Sequence, residues 1–183
     1  MINTIFIWSD HWWVDAKKQL IEYLEEEYPQ IKAINKWVDT NKSVDFHDIA
    51  REVCFEVLKV KNSIWFLICG TGQWMNIAAG KVNGIIPTLI HHPFVAKMAA
   101  AHNNFNVAFF WAREWLFDNF KEYVDLLLTT KFQWSKTPKN EKEENYQRRV
   151  DKMTSIKYMN NLKIETPYYE SLFYSVSKSL AGQ

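Results

Sequence analysis

The chain has 183 residues, of which 48% are hydrophobic and 23% charged, a composition that can bury a core and excludes intrinsic disorder. Basic and acidic side chains balance to a net charge of +1, so no bulk charge attracts the chain to nucleic acid or to an anionic membrane. Two cysteines form no disulfide framework, and no apolar run approaches the ~18 residues of a membrane span. We therefore expect a cytoplasmic protein with no membrane segment.

The first half of the chain alternates predicted strands and helices. Three short apolar runs predict buried strands at residues 4–8, 31–38 and 63–68. Between them, apolar residues recur at helical spacing over residues 13–28 and 45–58, which predicts two amphipathic helices. The third strand, SIWFLI, is rich in β-branched and aromatic residues and gives the clearest pattern of the chain.

The same alternation continues through the second half. Strands are predicted at residues 84–90 and 106–111, and Pro87 places the first of them at a sheet edge or a bulge, because proline lacks a ladder N–H. Helices are predicted at residues 75–81, 93–102, 114–128 and 146–162, with a polar loop over residues 135–145. Strand–helix units at this spacing indicate a parallel sheet with helices on both faces.

Polar residues follow three of the predicted strands. They are Asp10-His11, residues 69–76, and Arg113. Because ligands of doubly wound sheets bind beyond the carboxyl ends of the strands, we expect these groups at one edge of the sheet. That edge collects an acid, an imidazole, a thiol, a hydroxyl and a guanidinium, and His102-Asn103 end the fourth helix. Such a set of groups is typical of a catalytic site.

Each of these residues also has an ordinary structural interpretation. A cysteine at a strand end, such as Cys69, is more often a small buried hydrophobe than a base, although a glycine-rich turn and a helix N-terminus would favour its thiolate. Asp10 also suits a helix cap. The Gly70-Thr71-Gly72 turn resembles an anion-binding nest without the third glycine of GxGxxG. His91 and His92 face opposite ways in a strand, which disfavours a metal site.

Seven motifs occur along the chain in a recognisable order. They are SDH at 9–11, VDFHDIAREV at 44–53, LICGTG at 67–72, IAAGKVNGI at 77–85, HNNFNV at 102–107, AR at 112–113 and QRRVDKM at 147–153. This order resembles the type B ribose-5-phosphate isomerases and the related galactose-6-phosphate isomerase subunits. The resemblance implies an α/β fold, a Rossmann-like three-layer sandwich with a five-stranded, mostly parallel sheet and an added C-terminal helix.

The resemblance also implies how the chain is organised. Residues 1–160 are expected to form one α/β domain that includes the C-terminal helix, and residues 161–183 a tail outside the match. The family implies a homodimer or a dimer of dimers with sites at the subunit interface, a phosphorylated sugar as substrate, no cofactor and no metal. No nucleic acid or membrane partner is expected.

The implied activity is aldose–ketose isomerisation of a sugar phosphate, with ribose 5-phosphate to ribulose 5-phosphate as the first expectation. Cys69 would be the base that moves a proton between C1 and C2 through a cis-enediolate. Thr71 and the neighbouring amides would stabilise the oxyanion, while His102 and Asp10 would assist ring opening. The substrate-binding residues implied are His11, Gly70, Gly72, Asn76, Asn103, Arg113 and Arg149. Of these, His11, Arg113 and the partner subunit's Arg149 would hold the phosphate.

Several positions depart from the family. Trp13, Trp74 and Trp111 stand where the family has small residues, and we expect them to reshape the pocket. At Trp74 and Trp111, where the family has glycine, a positive φ would cost about 1–2 kcal/mol. Asn145 replaces the first arginine of the family's C-terminal phosphate pair, and Tyr146 replaces its usual histidine.

These departures leave two functions open. Either the chain is a working isomerase with an aromatic-lined pocket, or it is a weakened paralogue, which means a sugar-phosphate-binding protein or the supporting subunit of a heteromeric galactose-6-phosphate isomerase. Joint retention of the thiol, imidazole and guanidinium groups favours the isomerase. A nucleotide-binding Rossmann domain is disfavoured, because no acidic residue stands ~20 residues beyond the glycine turn to bind a ribose.

Overall fold

The computed structural model of the chain describes residues 2–9, 13–36, 46–114, 117–133 and 140–155. Its strands are β1 (Thr4–Ser9), β2 (Lys32–Asn35), β3 (Ser63–Cys69), β4 (Pro87–Ile90) and β5 (Val107–Trp111). Its α-helices are α1 (Val14–Glu27), α2 (Phe46–Lys59), α3 (Gln73–Ala79), α4 (Pro93–Met98), α5 (Phe117–Thr129) and α6 (Glu141–Ser155). A π-helical turn, Ala99–Asn103, continues α4, and a 3-10 turn, Ala112–Glu114, follows β5.

The strands form one sheet in the order β2-β1-β3-β5-β4, and each neighbouring pair is parallel. Parallel neighbours need crossover connections, which the helices supply on both faces. β4 lies at one edge and pairs with β5 from Pro87 to Ile90, so the expectation that Pro87 marks an edge strand is confirmed. The predicted fold class is also confirmed, with every pairing parallel rather than most of them.

Alternate side chains of the strands feed two hydrophobic cores. In β3, Phe66 and Ile68 pack with α1, α4 and α5, whereas Trp65 and Leu67 pack with α2 and α3. All four side chains are buried, and burial of side chains of this size is worth about 1.5–3 kcal/mol each. The continuous apolar run of β3 therefore explains its place at the centre of the sheet.

The last helix begins earlier than the sequence predicts. α6 starts at Glu141, so the predicted loop over residues 135–145 is wrong in its second part, while residues 134–139 lie outside the described residues. The run from Glu141 to Glu144 is highly charged, and that composition favoured a loop. Glutamate and lysine are nevertheless strong helix formers, and acidic groups stabilise a helix N-terminus.

Other predictions fall outside the described residues. They concern Asp10 and His11, the end of the second predicted strand at residues 37–38, and the tail over residues 161–183. The division into a domain of residues 1–160 and a tail stays a prediction. Within the part of the chain that the structure describes, no helix is long and apolar enough to cross a membrane.

Candidate active site

The carboxyl ends of β3 and β5 bring a thiol beside an indole. Cys69 ends β3 and is half-buried, and its Cα pairs in register with that of Trp111, the last residue of β5. Paired residues of parallel strands point to the same face of the sheet, here the face covered by α2 and α3, against whose core Cys69 packs. The thiol is therefore held at a rigid strand end, just before the turn into α3.

A glycine lets a guanidinium approach the same strand end. The Arg113 amide donates a hydrogen bond to the Gly70 carbonyl oxygen over 3.1 Å. A Cβ placed on Gly70 would stand 3.3 Å from Arg113 Nε, so the arginine side chain passes directly over the glycine. Arg113 is exposed, and a guanidinium in this position can bind an anionic ligand. The positive charge of Arg113 therefore lies close to Gly70, the residue after Cys69.

The turn after the thiol is fixed by Gly72. Its φ of +69° favours glycine, and a Cβ there would stand 2.7 Å from Leu89 Cδ1 and 3.3 Å from Phe109 Cβ. Thr71 is half-buried, and its Oγ accepts a hydrogen bond from the Gln73 amide over 3.4 Å, which turns the chain into α3. Substitution of Gly72 would disturb this turn. The position of the Thr71 hydroxyl therefore depends on glycine at residue 72.

The backbone strain expected at two tryptophans does not occur. Neither Trp74 nor Trp111 has a positive φ; among the described residues that conformation falls on Asn62, Asn104 and two glycines. Trp74 lies on α3 with 65% of its surface exposed, whereas Trp111 is half-buried. The chain carries both rings without the backbone cost that a direct replacement of glycine suggested.

Three other predicted residues have distinct surroundings. The Trp111 ring lies edge-on to the His91 ring, with centroids 6.5 Å apart. Trp111 Nε1 and Asn76 Oδ1 are buried, and neither has a hydrogen-bond partner among the described residues. Trp13 packs against the core of the α1, α4 and α5 layer, on the opposite face of the sheet from Cys69. The structure therefore brings Trp111, but not Trp13, to the face of the thiol.

His102 and Asn103 lie at the amino ends of the strands, the amino edge of the sheet, whereas Cys69 lies at the carboxyl edge. The chain passes from the carboxyl end of β4 through α4 and the π-helical turn to the amino end of β5, and these two residues end that turn. Beside it, the Trp65 amide of β3 donates a hydrogen bond to the Asn106 carbonyl oxygen over 3.0 Å. Along β3, Trp65 and Cys69 are separated by on the order of 13 Å. Within one chain, the His102 imidazole and the Cys69 thiol are therefore not brought together.

A second cluster forms around His102. Its imidazole stacks on the Tyr146 ring of α6, with centroids 4.1 Å apart and planes 11° apart. The Arg149 guanidinium lies 5.9 Å from the centroid of the same ring. Tyr146 thus joins two groups that the sequence motifs single out separately. In the sequence, Tyr146 stands out as a departure from the family; the available signal for a site role is its spacing, three residues before Arg149 on a helix.

Comparison with known proteins identifies the family of the chain. The model of the family described as Ribose/Galactose Isomerase matches residues 5–153. The chain belongs to this family. It is 35% identical over 129 residues to YwlF of Bacillus subtilis (strain 168), whose name describes a sugar phosphate isomerase, and the match covers 70% of this chain and 85% of that protein.

Two further relatives agree. This chain is 27% identical to ribose-5-phosphate isomerase B of Escherichia coli (strain K12), over 83% of this chain and 95% of that protein. The crystal structure of a ribose 5-phosphate isomerase from Thermotoga maritima is 28% identical and has a TM-score of 0.71, covering 84% of this chain and 99% of that chain. Family membership makes the chain an isomerase, as the motif order predicts.

Two other features stand apart from the site of this isomerase. A cavity of about 210 Å³ between α2 and the sheet is lined by no predicted site residue. Two of its lining residues form an ion pair, with Lys36 Nζ 3.0 Å from Glu56 Oε2. His92 Nδ1 accepts a hydrogen bond from the Phe94 amide over 3.2 Å and so caps α4. Among the described residues, no cluster of three or more potential metal ligands occurs.

Proposed function

We propose that this isomerase interconverts an aldose phosphate and a ketose phosphate, with ribose 5-phosphate and ribulose 5-phosphate as the pair. The observation that carries the proposal is the Cys69 thiol at the carboxyl edge of the sheet, followed by a glycine turn and accompanied by the Arg113 guanidinium. Relatives named ribose-5-phosphate isomerase B support this substrate. In a sugar phosphate, the sugar carbons can react with the base while the phosphate binds the cation.

In the proposed reaction Cys69 acts as a base through its thiolate. The thiolate removes the proton from C2 of the open-chain aldose, and the electron pair forms the C1–C2 double bond of a cis-enediolate while O1 becomes an oxyanion. The Cys69 thiol then gives a proton to C1 and becomes a thiolate again, while the hydroxyl proton passes from O2 to O1, which gives the ketose. General base catalysis of this kind contributes about 10²–10⁴-fold. Thr71 Oγ and the amides from Gly70 to Gly72 are proposed to bind the oxyanion.

The phosphate is proposed to bind two guanidinium groups. Arg113 lies exposed at the carboxyl edge, whereas Arg149 lies exposed on α6. Guanidinium groups suit phosphate because they donate two parallel hydrogen bonds to its oxygens. His11 in phosphate binding and Asp10 in ring opening stay predictions, because both lie outside the described residues.

A second copy of the chain is proposed to complete each site. Cys69 and Arg113 lie at the carboxyl edge, and His102 and Asn103 lie at the amino edge of the same chain. A sugar phosphate in contact with both sets therefore takes the second set from a neighbouring subunit. In that position His102 assists ring opening and Asn103 binds sugar hydroxyl groups.

The edge strand β4 is the surface proposed to receive that copy. A groove of about 170 Å³ between β4 and α4 is lined mostly by apolar side chains, and Asn103 is one of its polar lining residues. α3 and α4 flank this edge on the two faces of the sheet, and they carry large apolar side chains that are more than half exposed: Trp74, Ile77 and Phe94. An apolar surface of this kind supports a homodimer, because association removes it from water.

A second candidate function is that of a weakened subunit or a sugar-phosphate-binding protein. It is favoured by Asn145, because the family has its first phosphate-binding arginine at this position. The Asn145 side chain is an amide, and its Oδ1 accepts a hydrogen bond from Arg148. An amide binds phosphate less strongly than a guanidinium does. A chain of this kind binds ribose 5-phosphate without isomerising it.

The test is the activity of the full chain on ribose 5-phosphate, measured as ribulose 5-phosphate formation. Cys69→Ala is expected to lower kcat by about 10²–10⁴-fold without loss of the fold. Cys54→Ala is the matched control: Cys54 is fully buried in α2, where burial raises the pKa of its thiol to about 12, and kcat should stay unchanged. Normal turnover by Cys69→Ala would contradict the proposed base. Binding without turnover by the unmodified chain would support the second candidate.

The compartment follows from the same cysteine. Cys54 and Cys69 are the two cysteines of the sequence. Because Cys69 must stay reduced to act as a base, we propose that the isomerase works in the cytoplasm, where thiols are kept reduced.

A further inference from the structure

Tyr146 contacts two groups that the proposed reaction uses, yet it has no chemical step of its own. Its ring stacks on His102 at 4.1 Å between centroids, and the Arg149 guanidinium lies 5.9 Å from the same centroid. The two partners come from different elements, the π-helical turn after α4 and the α6 helix. One ring therefore connects the two groups at the amino edge that the proposed reaction assigns to separate tasks.

We propose that Tyr146 is a positioning residue, which sets the orientation of the His102 imidazole and of the Arg149 guanidinium through the π surface of its ring. This inference rests on the proposed function and deepens it. With asparagine at position 145, the phosphate has one cation fewer than the family pattern implies. An Arg149 side chain that is already in place offsets part of that loss.

The contact with Arg149 reduces the cost of binding phosphate. Arg149 is exposed and follows Tyr146 by three residues on the same helix, a spacing at which the two side chains meet. An aromatic face attracts a guanidinium, whereas a long exposed side chain without such a contact samples many rotamers. Ordering the arginine before the ligand arrives removes part of the entropy loss on binding.

The contact with His102 controls where the imidazole nitrogens point. The planes of the two rings are 11° apart, so the stack fixes the plane of the half-buried imidazole. Ring opening breaks the C1–O4 bond of the furanose, while O4 gains a proton and the anomeric hydroxyl loses one. A group that moves such a proton must lie about 2.6–3.2 Å from it, so the orientation of His102 decides whether it can act.

The experiment compares substitutions in the full chain. Tyr146→Phe keeps the ring, Tyr146→Leu keeps apolar volume but removes the π surface, and Gln147→Ala is the matched control at the next position of α6. With ribose 5-phosphate, we expect Tyr146→Leu to lower kcat and to raise KM by about tenfold each. Tyr146→Phe and Gln147→Ala should stay within about twofold of the unmodified chain. Calorimetry should show that the Kd for inorganic phosphate rises about tenfold in Tyr146→Leu alone.

A purely structural role gives a different result. It would lower the Tm of Tyr146→Leu while leaving kcat, KM and the phosphate Kd near normal, and that result would overturn the positioning role. Equal losses in Tyr146→Phe and Tyr146→Leu would overturn it as well, since they would implicate the hydroxyl group. If the unmodified chain does not isomerise ribose 5-phosphate, the proposed function fails, and the phosphate Kd alone decides: a selective rise in Tyr146→Leu supports the positioning role, and an unchanged Kd overturns it.

Discussion

The two halves of the candidate site are held in place by different means. The carboxyl half, with Cys69 and Arg113, is fixed by strand ends and by a turn whose positive φ favours glycine at position 72. The amino half, with His102 and Arg149, is fixed by side chains that meet on one tyrosine ring. The carboxyl half therefore depends on backbone conformation, whereas the amino half depends on the identity of a single side chain.

Gly72→Ala breaks the backbone frame of the carboxyl half and should have the largest effect on stability. A positive φ costs about 1–2 kcal/mol for alanine, and the new Cβ, 2.7 Å from Leu89 Cδ1, adds about 1–3 kcal/mol of overpacking. We expect the free energy of unfolding to fall by about 2–5 kcal/mol in urea denaturation. Gly80→Ala is the control, because Gly80 has φ −62° and its Cβ would stand 3.4 Å from the Asn76 carbonyl oxygen. Equal losses in the two variants would contradict this account.

Asp125→Ala changes a region that belongs to neither half. Asp125 Oδ1 accepts hydrogen bonds from the Tyr23 and Tyr28 hydroxyls over 2.6 and 2.7 Å, which joins α5 to α1. We expect the free energy of unfolding to fall by about 2 kcal/mol at neutral pH, because two phenols lose a charged acceptor. The kcat should stay unchanged, as in the control Glu122→Ala on the same helix. A loss of kcat in folded Asp125→Ala would show that the site depends on this contact.

The same contact predicts lower stability at alkaline pH. Burial, and after it the hydrogen bond and negative charge of Asp125, raises the pKa of Tyr23 and of Tyr28 above the ordinary value. Their contribution is present below about pH 10 and is lost as the pH rises further, because the phenols ionise more readily in the unfolded chain. Asp125→Ala should make the decline above about pH 10 shallower in urea denaturation. A decline as steep as that of the unmodified chain would be evidence against this cause.

Arg113→Lys should give the smallest effect, on substrate binding alone. Lysine keeps the charge but cannot donate two parallel hydrogen bonds to phosphate, so we expect KM for ribose 5-phosphate to rise about tenfold, or about 1.4 kcal/mol. The kcat should stay within about twofold. Arg51→Lys, at an exposed arginine of α2 that lies 3.5 Å from Asp48, is the control and should change neither quantity. A lower kcat with unchanged KM would place Arg113 at the reacting carbons instead of the phosphate.

The sequence predicts the frame of the carboxyl half better than the link within the amino half. The apolar run of β3 and the edge position of Pro87 follow from local chemistry, since burial and a missing N–H act at each residue separately. The start of α6 at Glu141 is missed, because charge does not distinguish a loop from an exposed helix. The stack of Tyr146 on His102 joins residues far apart in the chain, and no periodicity encodes such a contact.

Subunit complementation tests most directly whether each site takes its base from one copy and its imidazole from another. Cys69→Ala and His102→Ala chains, each strongly impaired alone, are given different affinity tags, co-expressed and purified as the mixed dimer. In a two-fold symmetric mixed dimer, one site lacks both groups and the other keeps both. If each site takes its base and its imidazole from different copies, the mixed dimer should have about half of the normal activity on ribose 5-phosphate. A purified mixed dimer as inactive as its two parents would contradict it.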